Sequence, residues 1–292
     1  METRLSSATK EVIISSELPT VTIGERINPA GKKKLAESLK MGNMDVVRKE
    51  AVEQVKAGAD VLDVNVTVFG LDEAPLLPKA VAAVMEVVDV PLCIDSANAE
   101  ALKAALKIYK GKALVNSVSG EEASLKRVLP LIKEYGCAVV GLTQDDAGIP
   151  KDAATRINIA EKIINRAAQM GIPKEDIVID CLALAIGADP NSCVTALATI
   201  KEIKARFGVN MTLGASNISF GMPDRIYINS SYLAMTIAAG VTCPVVDVAK
   251  VRPFILGTDL LLARDKRARR YIQAWRDRTA AAAAQAGPAK PG

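Results

Sequence analysis

No histidine occurs anywhere in the 292 residues. That gap removes imidazole acid–base catalysis, Ser–His and Cys–His nucleophile pairs and every His-ligated metal centre at once. Carboxylates, amides, Lys, Arg, Tyr or a borrowed cofactor are left to carry any chemistry. The five cysteines, Cys93, Cys137, Cys181, Cys193 and Cys243, are odd in number and show no C-x-x-C spacing. Neither a disulfide framework nor a zinc knuckle is therefore expected, and their apolar neighbours mark them as buried, reduced thiols. Also missing is any apolar run of membrane-spanning length, and the N-terminus, with Glu2 and Glu11, lacks the apolar segment of a signal peptide. A cytoplasmic location is the expectation. Nor is there a strong excess of charge: 37 basic against 33 acidic residues give +4. Much of that surplus sits in Arg264, Lys266, Arg267, Arg269 and Arg270, which reads as a solvated helix face rather than a nucleic-acid surface.

What is present is a regular alternation. Short apolar runs begin near residues 21, 61, 91, 113, 138, 177, 211 and 243, as buried parallel strands do. Each is followed by a helical pattern. A short helix opens at Lys32–Lys34, and a second is capped by Asn43 and closed by Gly58. The others are expected over 76–88, 98–109, 123–135, 153–170, 191–207, 225–239 and 251–278. Eight such units in this length predict an α/β fold of the (β/α)8 TIM-barrel type over residues 21–278. A doubly wound sheet is the alternative, but the G-x-G-x-x-G turn it would bring after the first strand is absent. Residues 1–20 are read as a leader, packed on the barrel bottom or disordered. Residues 279–292, rich in Ala and then Pro, are expected to be a disordered tail without a function.

Reacting groups in such a barrel lie at the C-terminal strand ends. Those ends carry Glu25 with Asn28, Asp63 with Asn65, Asp95, Asn116, Asp180 and Asn217. The last belongs to Thr212–Gly221, which begins like a buried strand and ends in small and amide residues that let a flat ligand approach the backbone. Helix capping accounts for Ser96, Ser117 and Asp146 and competes as an explanation for Asp63 and Asp247. It fits Asp95, Asn116, Asp180 and Asn217 less well. These sit beside apolar strand bodies, where an unpaired polar group costs about 1–3 kcal/mol. Carboxylates accept from an amino-pyrimidine edge and amides donate to its carbonyl, so the mixture suits a pterin. Asp95, Asp180 and Asp247 could instead hold magnesium or calcium, but no ordered metal-ligand motif is present, and no metal is assigned.

Eight stretches in order carry a resemblance: Gly24–Asn28, Leu62–Asn65, Cys93–Ser96, Val115–Ser117, Gly141–Thr143, Gly148–Asp152, Ile179–Asp180 and Gly214–Ser219. Together they are similar to the pterin-binding, corrinoid-dependent methyltransferases. That family includes the methyltetrahydrofolate:corrinoid/iron-sulfur protein methyltransferases and the folate domain of cobalamin-dependent methionine synthase. The resemblance implies a methyl group moved between tetrahydrofolate and the cobalt of a corrinoid on a partner protein, in one direction or the other, and a homodimer. By motif it implies Asp95, Asn116 and Asp180 as pterin-ring ligands and Asn217 as the residue facing the methyl-bearing nitrogen. It also implies Arg225 as an arginine close to the folate, with Asp63, Asn65, Glu25 and Asn28 around the substrate. Phe220 departs from a polar residue of the corrinoid/iron-sulfur branch. Dihydropteroate synthase shares the pterin barrel but would bring a histidine-containing motif to its last strand, where this chain has Pro244–Val248. A non-catalytic folate-binding partner of a corrinoid protein is the remaining alternative.

Overall fold

The computed structural model describes residues 1–286, with side chains through residue 281. The chain opens with an antiparallel hairpin, β1 (Thr3–Ser6) and β2 (Glu11–Ile14). Eight parallel strands follow: β3 (Ile23–Ile27), β4 (Val61–Asn65), β5 (Leu92–Asp95), β6 (Leu114–Ser119), β7 (Ala138–Leu142), β8 (Ile177–Asp180), β9 (Asn210–Thr212) and β10 (Val245–Val246). Each pairs with its neighbour in sequence, and β10 pairs back on β3. Closure comes from Thr242 N–H to the Met211 carbonyl at 3.0 Å and Val245 N–H to the Leu213 carbonyl at 2.9 Å. The result is a (β/α)8 TIM barrel. Its helices are α1 (Lys33–Lys40), α2 (Asp45–Ala57), α3 (Glu73–Val87), α4 (Ala99–Ile108), α5 (Glu122–Tyr135), α6 (Ala153–Gln169), α7 (Ser192–Arg206), α8 (Arg225–Ala239), α9 (Val248–Leu261) and α10 (Arg269–Ala286). No described helix is long and apolar enough to cross a membrane.

The two-residue period of a strand decides what faces the barrel axis. Val61, Cys93, Leu114 and Val178 belong to the inner core, whereas Leu62, Ile94, Val115 and Ile179, each the next residue along, pack in the outer core with the helices. The next inward positions are then Asp63, Asp95, Asn116 and Asp180. Apolar residues fill the lower barrel, and the same face turns polar at the C-terminal ends.

The leader is ordered. Leu5 and Ile14 are fully buried and join the inner core from below, a burial that contributes about 1.5–3 kcal/mol each. Asn210 Nδ2 donates to Thr3 Oγ1 and to the Ile14 carbonyl, both at 2.9 Å, tying the hairpin to β9. Thr3 also donates to the Glu175 carbonyl.

Three expectations change. Strand β9 stops at Thr212, and Ala215–Ser219 forms a 3₁₀ turn, so Asn217 lies beyond the strand on a separate turn. The helix expected over 251–278 is two helices. Ala263 adopts φ 58°, Arg264 N–H closes α9 on the Asp259 carbonyl at 2.9 Å, and the buried Asp265 carboxylate accepts from Arg270 N–H at 3.1 Å and Tyr271 N–H at 2.9 Å. A left-handed stop followed by a carboxylate cap outweighs the continuous helical pattern. The expected tail, in turn, is helical through Ala286, because alanine is the strongest helix former; residues 287–292 lie outside the described residues.

Candidate active site

The polar residues at the strand ends form three groups. In the first, Asn65 Nδ2 donates to Asp95 Oδ2 at 2.9 Å, and Asn116 Nδ2 lies 3.4 Å from Asp63 Oδ1. The register of β4 and β5 sets Asn65 opposite Asp95, whereas Asp63 on β4 and Asn116 on β6 face each other across β5, whose Asp95 lies opposite Asn116. Asp63 is 3% exposed; burial first, and Asp95 second, push its carboxyl well above the ordinary range. Asp95 is raised to about 6 by burial and, to a smaller extent, by Glu73, against the Asn65 hydrogen bond. Glu73, the first residue of α3, accepts from Ser96 Oγ beside it. Ser96 in turn accepts from Asn98 N–H at 3.0 Å; it shapes the turn ahead of α4, and the helix cap expected of it is instead Asn98.

The second group surrounds a cavity of about 300 Å³ lined by Asp180, Leu182, Gly214, Asn217, Phe220 and Ile149, among others. Burial raises the Asp180 carboxyl to about 6, opposed by the Leu182 N–H and then by the Arg156 guanidinium. The Leu182 N–H donates to Asp180 Oδ1 at 2.7 Å, and Leu182 holds φ 56° to do so. Arg156, a cation on the apolar face of α6 and 1% exposed, braces this loop. Its Nη1 donates to the carbonyls of Cys181 at 2.9 Å and Leu182 at 3.0 Å, and its Nε to that of Pro150 at 2.9 Å. Three carbonyls without a carboxylate partner satisfy a buried guanidinium and lock two βα loops together.

The third group shapes the turn that carries Asn217. Ser216 Oγ donates to Glu25 Oε1 at 2.8 Å, and burial raises the Glu25 carboxyl. Arg225 does not project into the cavity. Its Nε donates to Ser219 Oγ at 2.9 Å and its Nη2 to the Ser216 carbonyl at 2.7 Å. Asn28 is likewise occupied locally, accepting from Ala30 N–H at 2.9 Å in a turn after β3. Asp247 lies 3.8 Å from Arg26 and 3.0 Å from Lys250. Among the described residues no three acid or thiol side chains converge as a metal cage would need.

Arg156 is the contributor that sequence reasoning passed over, and Gly214 and Ser216 were read only as small residues of the Thr212–Gly221 stretch. A charged residue among Ile157, Ile159 and Ala160 was the available signal for Arg156. Nothing local marked Ser216, whose partner lies 191 positions away.

With this geometry in view, the family model of the pterin binding enzymes matches residues 24–247. The chain belongs to the pterin-binding enzyme family. The match spans β3 to β10 and so every strand end described above. Among curated relatives of this pterin-binding enzyme, the methylcorrinoid:tetrahydrofolate methyltransferase of Eubacterium limosum is 31% identical over 264 residues, covering 88% of this chain and 96% of that one. The methionine synthase of Mycobacterium leprae is 29% identical over 86% of this chain, which corresponds to 22% of that longer protein. Among solved structures, dihydropteroate synthase from Xanthomonas albilineans with 4-aminobenzoic acid superposes with a TM-score of 0.70 at 18% identity, covering 89% of this chain and 99% of that one. Yersinia pestis DHPS with a pterine-sulfa conjugate gives 0.68 at 18% identity, over 89% and 99%. At that identity the superpositions speak for the fold.

Proposed function

We propose that this enzyme moves a methyl group between tetrahydrofolate and the cobalt of a corrinoid borne by a partner protein, with the pterin at the C-terminal mouth of the barrel. The observation that carries the reading is the set of acids and amides at the C-terminal strand ends: Asp63, Asn65, Asp95 and Asn116 on three adjacent strands, with Asp180 and Asn217 lining a cavity at the end of β8 and the turn after β9. The similarity to the Eubacterium limosum methyltransferase along nearly its whole length supports the reaction class.

On this reading Asp95 and Asp180, ionised above about pH 6, accept from the amino and ring N–H groups of the pterin. Asp63, 3.4 Å from Asn116 Nδ2, orients that amide toward the ring. Two reactants held at fixed distance supply much of the acceleration. Methyl transfer breaks a carbon–nitrogen bond and makes a carbon–cobalt bond, or the reverse, and charge changes at the ring nitrogen as it proceeds. Asn217 stabilises that change by hydrogen bonding, donating through Nδ2 or accepting through Oδ1, an electrostatic role that needs no proton of its own. Microscopic reversibility lets one site serve both directions.

The direct test is anaerobic. Co(I) absorbance is followed after methyltetrahydrofolate is added to the enzyme with free corrinoid or with a corrinoid protein. Enzyme-dependent loss of Co(I) is expected. No loss with either acceptor, although folate binds, would leave a binding subunit and overturn the catalytic reading.

Gly214 offers a gentler probe. Its φ of −74° suits alanine, but a Cβ there would lie 2.9 Å from Asn217 Nδ2. Gly214→Ala should therefore move the amide and leave the fold alone. Turnover is expected to fall about tenfold with the melting temperature unchanged. Full activity in this variant would mean that the orientation of Asn217 does not matter.

A further inference from the structure

Helix α10 does not cover the barrel evenly. Between α10, the start of α9 and the end of α2 lies a groove of about 910 Å³, on the flank of the barrel and separate from the cavity at the mouth. Six arginines and Lys56 line it against one carboxylate, Asp277, and that carboxylate already accepts from Gln273 Nε2 at 2.8 Å. Arg270 lies 3.9 Å from Asp60 and 3.7 Å from Asp259. Among the described residues, Arg269, Arg276 and Lys56 make no ion pair.

The floor of the groove carries a charge with no carboxylate in contact with it among the described residues, Asp60 and Asp277 acting on it only from a distance. Arg252 is partly buried and donates to the Gly58 carbonyl, a dipole and not a countercharge. Burial pulls the Arg252 pKa down, and the Arg270 guanidinium adds to this against the opposing charges of Asp60 and Asp277. Space was kept for this side chain: Gly58, at φ 96°, closes α2, and any Cβ there would strike the Arg252 guanidinium. A single carboxylate would not balance two guanidinium groups flanked by further arginines. A phosphate chain would, because guanidinium forks pair bidentately with its oxygens. Ala57, Ala249, Pro253 and Ile272 supply apolar wall beside the charge, and the volume lies within the range of small-molecule sites.

We propose that the groove between α2, α9 and α10 binds a phosphate-bearing small molecule of nucleotide size, its phosphates on Arg252, Arg269 and Arg276. The proposal is independent of the methyl-transfer reading, since neither folate nor corrinoid enters its test.

The full chain would be titrated calorimetrically with pyrophosphate, ATP and inorganic phosphate, and compared with a double variant, Arg269→Glu with Arg276→Glu. Both positions are exposed, so the variant should fold, and an unchanged melting temperature checks that it does. Saturable binding of pyrophosphate or ATP at one site per chain is expected, weaker for inorganic phosphate. The affinity should fall at least tenfold in the double variant and fall again with added salt. Absence of saturable binding at millimolar concentration would overturn the proposal. So would equal affinity in the double variant, or binding confined to single-stranded RNA and growing with its length.

Discussion

Asn217→Ala is expected to slow methyl transfer by about 10²–10³-fold, the loss typical of removing one preorganised donor from a developing charge. The dissociation constant for tetrahydrofolate should change by less than about tenfold, because one neutral hydrogen bond to a bound ligand is worth about 1 kcal/mol net. Stability should be unaffected. Asn217 is an exposed residue of the 3₁₀ turn, and the turn is held by the backbone bond from Asn217 N–H to the Gly214 carbonyl at 3.1 Å and by Arg225, not by the amide side chain. Single-turnover rates against binding constants make the decision. Equal losses in both would reduce Asn217 to a ground-state contact, and an unchanged rate would remove it from the chemistry.

Asp180→Asn should show the opposite signs for stability and binding. The Asp180 carboxyl is raised from 3.8 to about 6 because it is buried, with only the Leu182 N–H and the more distant Arg156 to favour its charge. A carboxyl raised in the folded state favours folding fully below its unfolded value and loses that contribution as pH climbs through its folded value. The wild type should therefore lose stability between about pH 4 and pH 7 through this group, by on the order of 2–3 kcal/mol. An amide of the same shape still accepts the Leu182 N–H and has no charge to bury. Asp180→Asn should then melt several degrees higher than the wild type at pH 7.5 and equally at pH 4, while binding tetrahydrofolate at least tenfold more weakly. Greater stability with lost binding is the signature of a residue kept for function. Thermal melts at the two pH values, with a folate titration at the higher one, are sufficient. Equal melting at pH 7.5 would show that ionising Asp180 costs nothing, and unchanged folate affinity would take it out of the site.

Much of the barrel was legible along the chain because its signals are local. Runs such as Val61–Val66 and Ala138–Leu142 are too apolar to sit anywhere but inside, and Gly58 and Gly136 end helices where only a left-handed residue can. The strand-end acids were legible for the same reason: Asp63, Asp95, Asn116 and Asp180 keep the two-residue period of inward positions. Reading failed where a local preference met a distant partner. The leader lacks a period of its own, yet Leu5 and Ile14 plug the barrel because the inner face of its lower end needs apolar cover. The pattern over 251–278 is helical throughout, yet Ala263 and Asp265 divide it. Arg225 was read only as a residue near the folate, and its bonds to Ser219 and the Ser216 carbonyl, which shape the turn carrying Asn217, were not legible.

By itself, the sequence determined the fold class, the missing imidazole chemistry and the ring of acids and amides at the strand ends. Composition, apolar run length and strand period act over a few residues and need no partner to be read. Only the tertiary structure decided which of those groups meet: that Asn65 pairs with Asp95, that Asp180 and Asn217 share a cavity, that Glu25 of β3 holds Ser216 in the turn after β9, and that α10 turns its arginines toward Arg252. Such contacts join residues far apart in the chain, and their hydrogen-bond geometry and ionisation depend on a burial that exists only once the barrel has closed.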